Sequence, residues 1–185
     1  MRTKTNLFLV FLAALLFCSC SEDLKNTKNL YDDWWPVHAS GSAQNDRFTA
    51  TWDGDLSRSG CITVTFVDRE SPDLSYTRDL YYPAYSFKKS SKSFSTVDIS
   101  SRDYVSSRPR KFYLEDGRIF FETTDDKGIG TGSYDEGHAF RFLNDDSFLL
   151  EGVTYERYSV WSARNKIQSD NLRNNGDRIP VSIYL

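Results

Sequence analysis

The chain has 185 residues, 23 Lys and Arg against 26 Asp and Glu for a formal net charge of −3, 15% aromatic residues and three cysteines. That length gives one domain a proper core and is too short for two comfortable ones. The mildly acidic balance argues against a nucleic-acid partner and reads as solubility.

The first element is an address. Arg2 and Lys4 precede an apolar run from Leu7 to Phe17, the charged and apolar parts of a secretory signal rather than a bilayer-spanning helix of about 20 residues. The run ends in Phe17-Cys18-Ser19-Cys20, which resembles the lipobox of bacterial lipoproteins. The resemblance implies cleavage after Ser19, a diacylglycerol on the Cys20 thiol and a third acyl chain on its freed amine. At about 0.8 kcal/mol per buried CH₂, several chains hold a protein on a membrane effectively permanently. Ser21-Glu22-Asp23 resembles the Ser-plus-acidic export signal of surface-exposed lipoproteins of Bacteroidetes. It implies an outer-membrane lipoprotein exposed at the cell surface, with the periplasmic face as the alternative.

Loss of the signal removes Arg2 and Lys4 and no acid, so the net charge moves from −3 to −5. With Cys18 discarded and Cys20 lipidated, Cys61 alone remains and no intramolecular disulfide can form. A zinc cluster lacks ligands too, because His38 and His138 are the two histidines and a structural site needs about four Cys or His. The expected division is residues 1–19 signal, 20–31 lipidated cysteine and flexible polar tether, and 32–185 a single β domain.

From Trp34 short alternating runs begin. Phe48, Ala50 and Trp52 share one parity, as do Ile62, Val64 and Phe66, a two-residue period that predicts half-buried strands; the Asp53-Gly54-Asp55 and Ser57–Gly60 turns join them. Leu80 to Tyr85 reads as a strand carrying Pro83, which places it at an edge or a bulge because proline cannot donate to a ladder. Ser93 to Ile99 is a further weak strand.

The clearest hairpin is Lys111–Glu115, Asp116-Gly117, Arg118–Glu122, since a two-residue Asp-Gly loop matches the twist of antiparallel strands. It pairs Leu114 with Ile119 and Phe112 with Phe121 on one face, and Tyr113 with Phe120 on the other. Thr123 to Gly137 reads as an acidic, glycine-rich loop. Phe140, Phe142, Phe148 and Leu150 share a face if Asn144-Asp145-Asp146 turns through a left-handed residue. Val153 to Trp161 reads as strand, Ser162 to Asp177 as polar with at most a short helical turn, and Ile179 to Leu185 as a closing strand. No long amphipathic helix is expected after the signal. Eight to ten short antiparallel strands predict an all-β fold, a small barrel or, alternatively, a β-sandwich.

Trp34-Trp35-Pro36-Val37, the Asp53-Gly54 turn, the Tyr113–Ile119 hairpin, and Phe142–Leu150 followed by Tyr155-Glu156-Arg157-Tyr158 resemble lipocalin-like lipoproteins of Bacteroidetes. The resemblance implies a lipocalin-like β-barrel started by an early Trp and closed by a late strand with a Tyr-x-Arg-like pattern. It carries no chemistry across.

Among candidate sites, the aromatic residues could form a stacking surface for sugars or apolar ligands, with Trp34, Trp35, Tyr81 and Tyr82 the ligand-binding candidates; the competing role for such rings is core. Trp34 and Trp35 are neighbours in a strand and cannot both face inward. Gly128-x-Gly130-x-Gly132 lacks the Lys-Ser/Thr and helix of a phosphate loop. Asp125, Asp126, Asp135 and Glu136 offer hard oxygens without the spacing of a calcium loop. Neither histidine belongs to a nucleophile elbow or a His-Glu-x-x-His pattern. The expectation is therefore no catalytic residue, metal or cofactor, and a non-enzymatic lipoprotein anchored through Cys20. Its barrel binds a small apolar or glycan ligand or a protein partner; alternatively the barrel is packed, with no ligand cavity, and serves a structural or interaction role.

Overall fold

The computed structural model describes residues 25–100 and 106–174. Its strands are β1 (Asp33–Gln44), β2 (Phe48–Asp55), β3 (Cys61–Asp68), β4 (Tyr76–Tyr81), β5 (Ala84–Lys88), β6 (Ser93–Val97), β7 (Arg110–Glu115), β8 (Arg118–Thr124), β9 (Gly130–Tyr134), β10 (His138–Asn144), β11 (Ser147–Leu150) and β12 (Val153–Arg157), followed by helix α1 (Tyr158–Asn174).

Eight of these strands close into an antiparallel barrel, in the order β1-β5-β6-β7-β8-β10-β11-β12 and back to β1. Closure rests on β1, whose Asp33 and Trp34 pair with β5 while Trp34 to Ala39 pair with β12. A ring without free edges removes the sandwich alternative and leaves the all-β, lipocalin-like barrel. Two excursions bring the total to 12 strands. Past the ring, His38 to Gln44 of β1 pair with β2, which carries β3 and β4 as a satellite sheet. The other excursion is β9, which pairs with the far half of β8.

Local chemistry explains the irregular points. The register of β1 against β12 shifts between Pro36 and His38, as expected where proline cannot donate to the ladder. Pro83 falls in the break between β4 and β5. The Asp-Gly hairpin has the expected register, Glu115 with Arg118 through Phe112 with Phe121, and both turn residues have positive φ, 49° at Asp116 and 70° at Gly117.

The barrel axis is filled by rings. Phe87, Phe94, Phe112, Phe121, Phe140, Phe148, Tyr155 and Trp34 belong to one buried cluster. Tyr85 reaches across it, stacking on Phe121 at 5.7 Å and meeting Tyr155 at 5.3 Å. Residues 25–30 are helical and put the fully buried Leu30 into the cluster. On the side where β1 leaves the ring, Trp52 and Ile62 of the satellite sheet and Tyr82 pack against the same cluster.

Several expectations are corrected: Asp53-Gly54-Asp55 is not a turn but the end of β2, paired with β1, and Leu80 to Tyr85 is not one strand but is split between β4 and β5. The flexible tether does not extend to Tyr31, because residues 25–30 belong to the packed domain. Thr123 to Gly137 is not wholly loop but contains β9. The β10–β11 turn has no left-handed residue at Asn144 to Asp146; a register shift between Phe142 and Asn144 does the work instead. The strand from Val153 ends at Arg157, and Tyr158 opens a 17-residue helix where a short turn at most was expected. That helix is held by Trp161 and Tyr158 lying against Trp35, with Trp35 and Trp161 stacked at 4.6 Å. The expected strand Ile179 to Leu185 lies outside the described residues.

Candidate binding clefts

Pro83 ends the β4 ladder, and the chain around it builds a cleft of about 330 Å³ lined by Gly60, Tyr81, Tyr82, Pro83, Asp98 and Ser100. Gly60 has a φ of +61°, and a Cβ there would meet the Tyr82 carbonyl oxygen at 2.5 Å and the Ile99 side chain at 2.7 Å. Only glycine allows this approach, which the Tyr82 N–H completes by donating to the Gly60 carbonyl at 2.7 Å. Opposite, Ser100 donates from its backbone and its hydroxyl to Asp98, at 2.9 and 2.6 Å.

Tyr81 is 61% exposed, and its hydroxyl lies 3.5 Å from the Asp79 carboxylate. Burial pushes the Tyr82 hydroxyl above its ordinary pKa. Cys61 pairs with Tyr81 across the strands. Its thiol is pushed up by burial and by the Asp79 charge, so it is a protonated thiol at neutral pH and not an activated nucleophile. An exposed ring beside a carboxylate and a hydroxyl can stack on an apolar or sugar face and accept hydrogen bonds from hydroxyls.

The sequence candidates therefore separate. Tyr81 and Tyr82 share this cleft. Trp34 and Trp35 do not join them: they face opposite sides of β1, and each is buried by a different layer, at 1% and 7% exposure. Trp34 lies among the barrel rings, and Trp35 lies under α1 against Trp161 and Tyr158.

Each histidine meets a carboxylate. His38 Nε2 is 2.6 Å from Asp53, and His138 Nε2 is 3.0 Å from Asp135 with Glu151 at 3.8 Å from Nδ1. Neither lines the Tyr81 cleft or the second cleft described below. Asp135 is also the acceptor for the Phe121 and Gly137 N–H groups, and Asp125 accepts from Lys127 and Ile129. These acids brace loops and do not converge. Among the described residues no group of three or more His, Cys, Asp or Glu side chains could hold a metal ion.

A second cleft, of about 290 Å³, is lined by Ser107, Arg108, Arg110, Thr124, Lys127 and Gly128. Sequence reading passed over it because Arg108-Pro109-Arg110 and Lys127-Gly128 lie apart in the chain and β7 and β8 bring them together. The available signal was one short basic stretch, Arg108-Pro109-Arg110-Lys111, and the single Lys127 beyond the open end of the Asp-Gly hairpin. No helix among the described residues is long and apolar enough to cross a membrane. No family model, curated protein or solved structure matches the chain.

Proposed function

We propose that this is a non-enzymatic lipoprotein of the Bacteroidetes lipocalin-like type. Cys20 anchors it to the outer membrane with the domain at the cell surface, and its barrel is a packed scaffold that binds on its outside. The observation that carries this is the lumen: Tyr85 bridges from Tyr155 to Phe121 across the axis, where a lipocalin-type carrier would need room for its cargo. Leu30, Trp52 and Ile62 pack against the same ring cluster.

Binding then falls to exterior features, and the Tyr81–Tyr82 cleft has the chemistry for a glycan or a small apolar ligand, or for a projecting side chain of a protein partner. The test is a glycan-array screen of the full chain in detergent beside a Tyr81→Ala variant. Binding lost in the variant supports the reading. Displacement of a fatty-acid probe that quenches Trp34 and Trp52 fluorescence would instead place the ligand in the lumen and overturn it.

A further inference from the structure

Although the chain is net negative, the second cleft is lined by three cations, Arg108, Arg110 and Lys127, and by no acid. The acids nearest in sequence are committed elsewhere. Glu122 accepts from the backbone N–H of Lys111 at 2.7 Å and of Gly132 at 2.9 Å, and its carboxylate lies so close over Gly130 that a Cβ there would meet it at 2.6 Å. Those backbone hydrogen bonds, with smaller contributions from the Lys111 and Arg110 charges, hold the Glu122 carboxyl below its usual range, so it stays ionised and held on those N–H groups. Asp125 caps its own turn through the Lys127 and Ile129 N–H groups. Asp126 is exposed and does not line the cleft.

Arg110 is held in place, 4.6 Å over the Phe94 ring and with Nη1 donating to the Glu122 carbonyl at 3.2 Å. Arg108 and Lys127 make no ion pair among the described residues. Thus one cation is preorganised and two are uncommitted, around a volume close to the roughly 300 Å³ at which small-molecule pockets begin. Guanidinium groups match oxyanions in a bidentate geometry, and an ammonium adds a point charge. Thr124 and Ser107 also line the cleft, and the Ser107 hydroxyl, which accepts from the Thr96 N–H and donates to the Arg108 carbonyl, fixes the chain there.

We propose that this cleft is an anion-binding site for a small ligand bearing a sulfate, phosphate or carboxylate group. The glycine-rich turn serves it without being a phosphate loop: Gly130 leaves room for the Glu122 carboxylate on its backbone donors, and Gly128, at φ +72°, turns the chain so that Lys127 borders the cleft. The site is separate from the Tyr81 cleft and does not depend on lipidation.

The full chain in non-ionic detergent is titrated calorimetrically at low ionic strength with a sulfated disaccharide, glucuronate, inorganic phosphate and, as a neutral control, glucose. At least one anion is expected to bind while glucose does not, and affinity falls as salt rises. The Arg108→Ser/Lys127→Ser variant, altered at two exposed positions, is expected to keep the wild-type circular dichroism and to bind about tenfold more weakly or worse. A Lys89→Ser variant is expected to bind as the wild type does. Equal affinity in the double variant, or no response of the wild type to any of the three anions, overturns the proposal. Which anion binds best separates an acidic sugar from free phosphate.

Discussion

The Arg157 guanidinium lies over the Trp34 ring, 4.7 Å from its centroid, joining the first strand of the barrel to the last. Arg157 also donates to the Asn29 carbonyl at 3.0 Å and the Asp145 carbonyl at 2.9 Å, and it pairs with Asp32 and Asp146. Its side chain is 19% exposed, so these contacts are only partly screened. Replacing Arg157 by Gln removes a cation–π contact and several charge-assisted hydrogen bonds at once. The expected loss is about 2–3 kcal/mol, read as a lower urea midpoint with an unchanged slope.

Gly152 tests the β1–β12 seam from the backbone. Its φ is +79°, and a Cβ would collide with the Ser40 carbonyl oxygen, which lies there because the Ser40 N–H donates to the Gly152 carbonyl. Backbone cannot swing aside as a side chain can. Gly152→Ala should cost about 2 kcal/mol or more, whereas Gly128→Ala, at a similar φ but with open space around it, should cost only about 1 kcal/mol. Thermal melts of both variants check the difference.

Acid and alkaline limits should follow from named groups. The Arg47 side chain, with the Glu70 and Ser71 N–H groups, holds the Asp68 carboxyl below its usual value against the opposing effect of burial. A lowered folded pKa contributes stability above the unfolded value of about 3.9, lost as pH falls through the folded pKa. The melting temperature should therefore drop as pH falls below about 4, and less steeply for Asp68→Asn. Tyr85 behaves in the opposite sense. Burial pushes its pKa up to about 12, so its contribution is complete below the unfolded value of about 10 and is lost as pH rises toward the folded one. Absorbance titration should show Tyr85 ionising after the exposed tyrosines.

Anchoring through Cys20 is testable apart from the fold. Cys20→Ala should move the protein from the membrane fraction to the soluble periplasmic fraction, and metabolic labelling with an acyl-chain analogue should mark the wild type alone. Membrane fractionation of the variant like that of the wild type would remove the lipoprotein reading.

Much of the barrel was legible because two-residue periodicity and turn chemistry are local. The Asp116-Gly117 hairpin could be read to the pairing of Phe112 with Phe121, since its strands are adjacent in the chain. What escaped depends on distant partners. Helix α1 sets Tyr158 and Trp161 at helical spacing, but its other apolar residues, Val160, Ala163, Ile167 and Leu172, are scattered among polar ones and form no long stripe. It is held because Trp35, on the outer face of β1, needs covering. The same blindness applied to the clefts: Tyr81 and Tyr82 stood out as aromatics, while Trp34 and Trp35 looked equivalent to them until burial separated the pairs. The cationic cleft was invisible because its residues meet only through the β7–β8 register.

The ring closes between β1 and β12, so Asp32 and Arg157, 125 residues apart, must meet before the barrel exists. The satellite sheet and the Asp-Gly hairpin need only local contacts and can form earlier. A chain stopped before Val153 keeps seven of the barrel strands and leaves β1 and β11 as facing, unpaired edges. Two such chains can satisfy each other by exchanging strands, so C-terminal truncation should yield swapped dimers or aggregates rather than a smaller monomer.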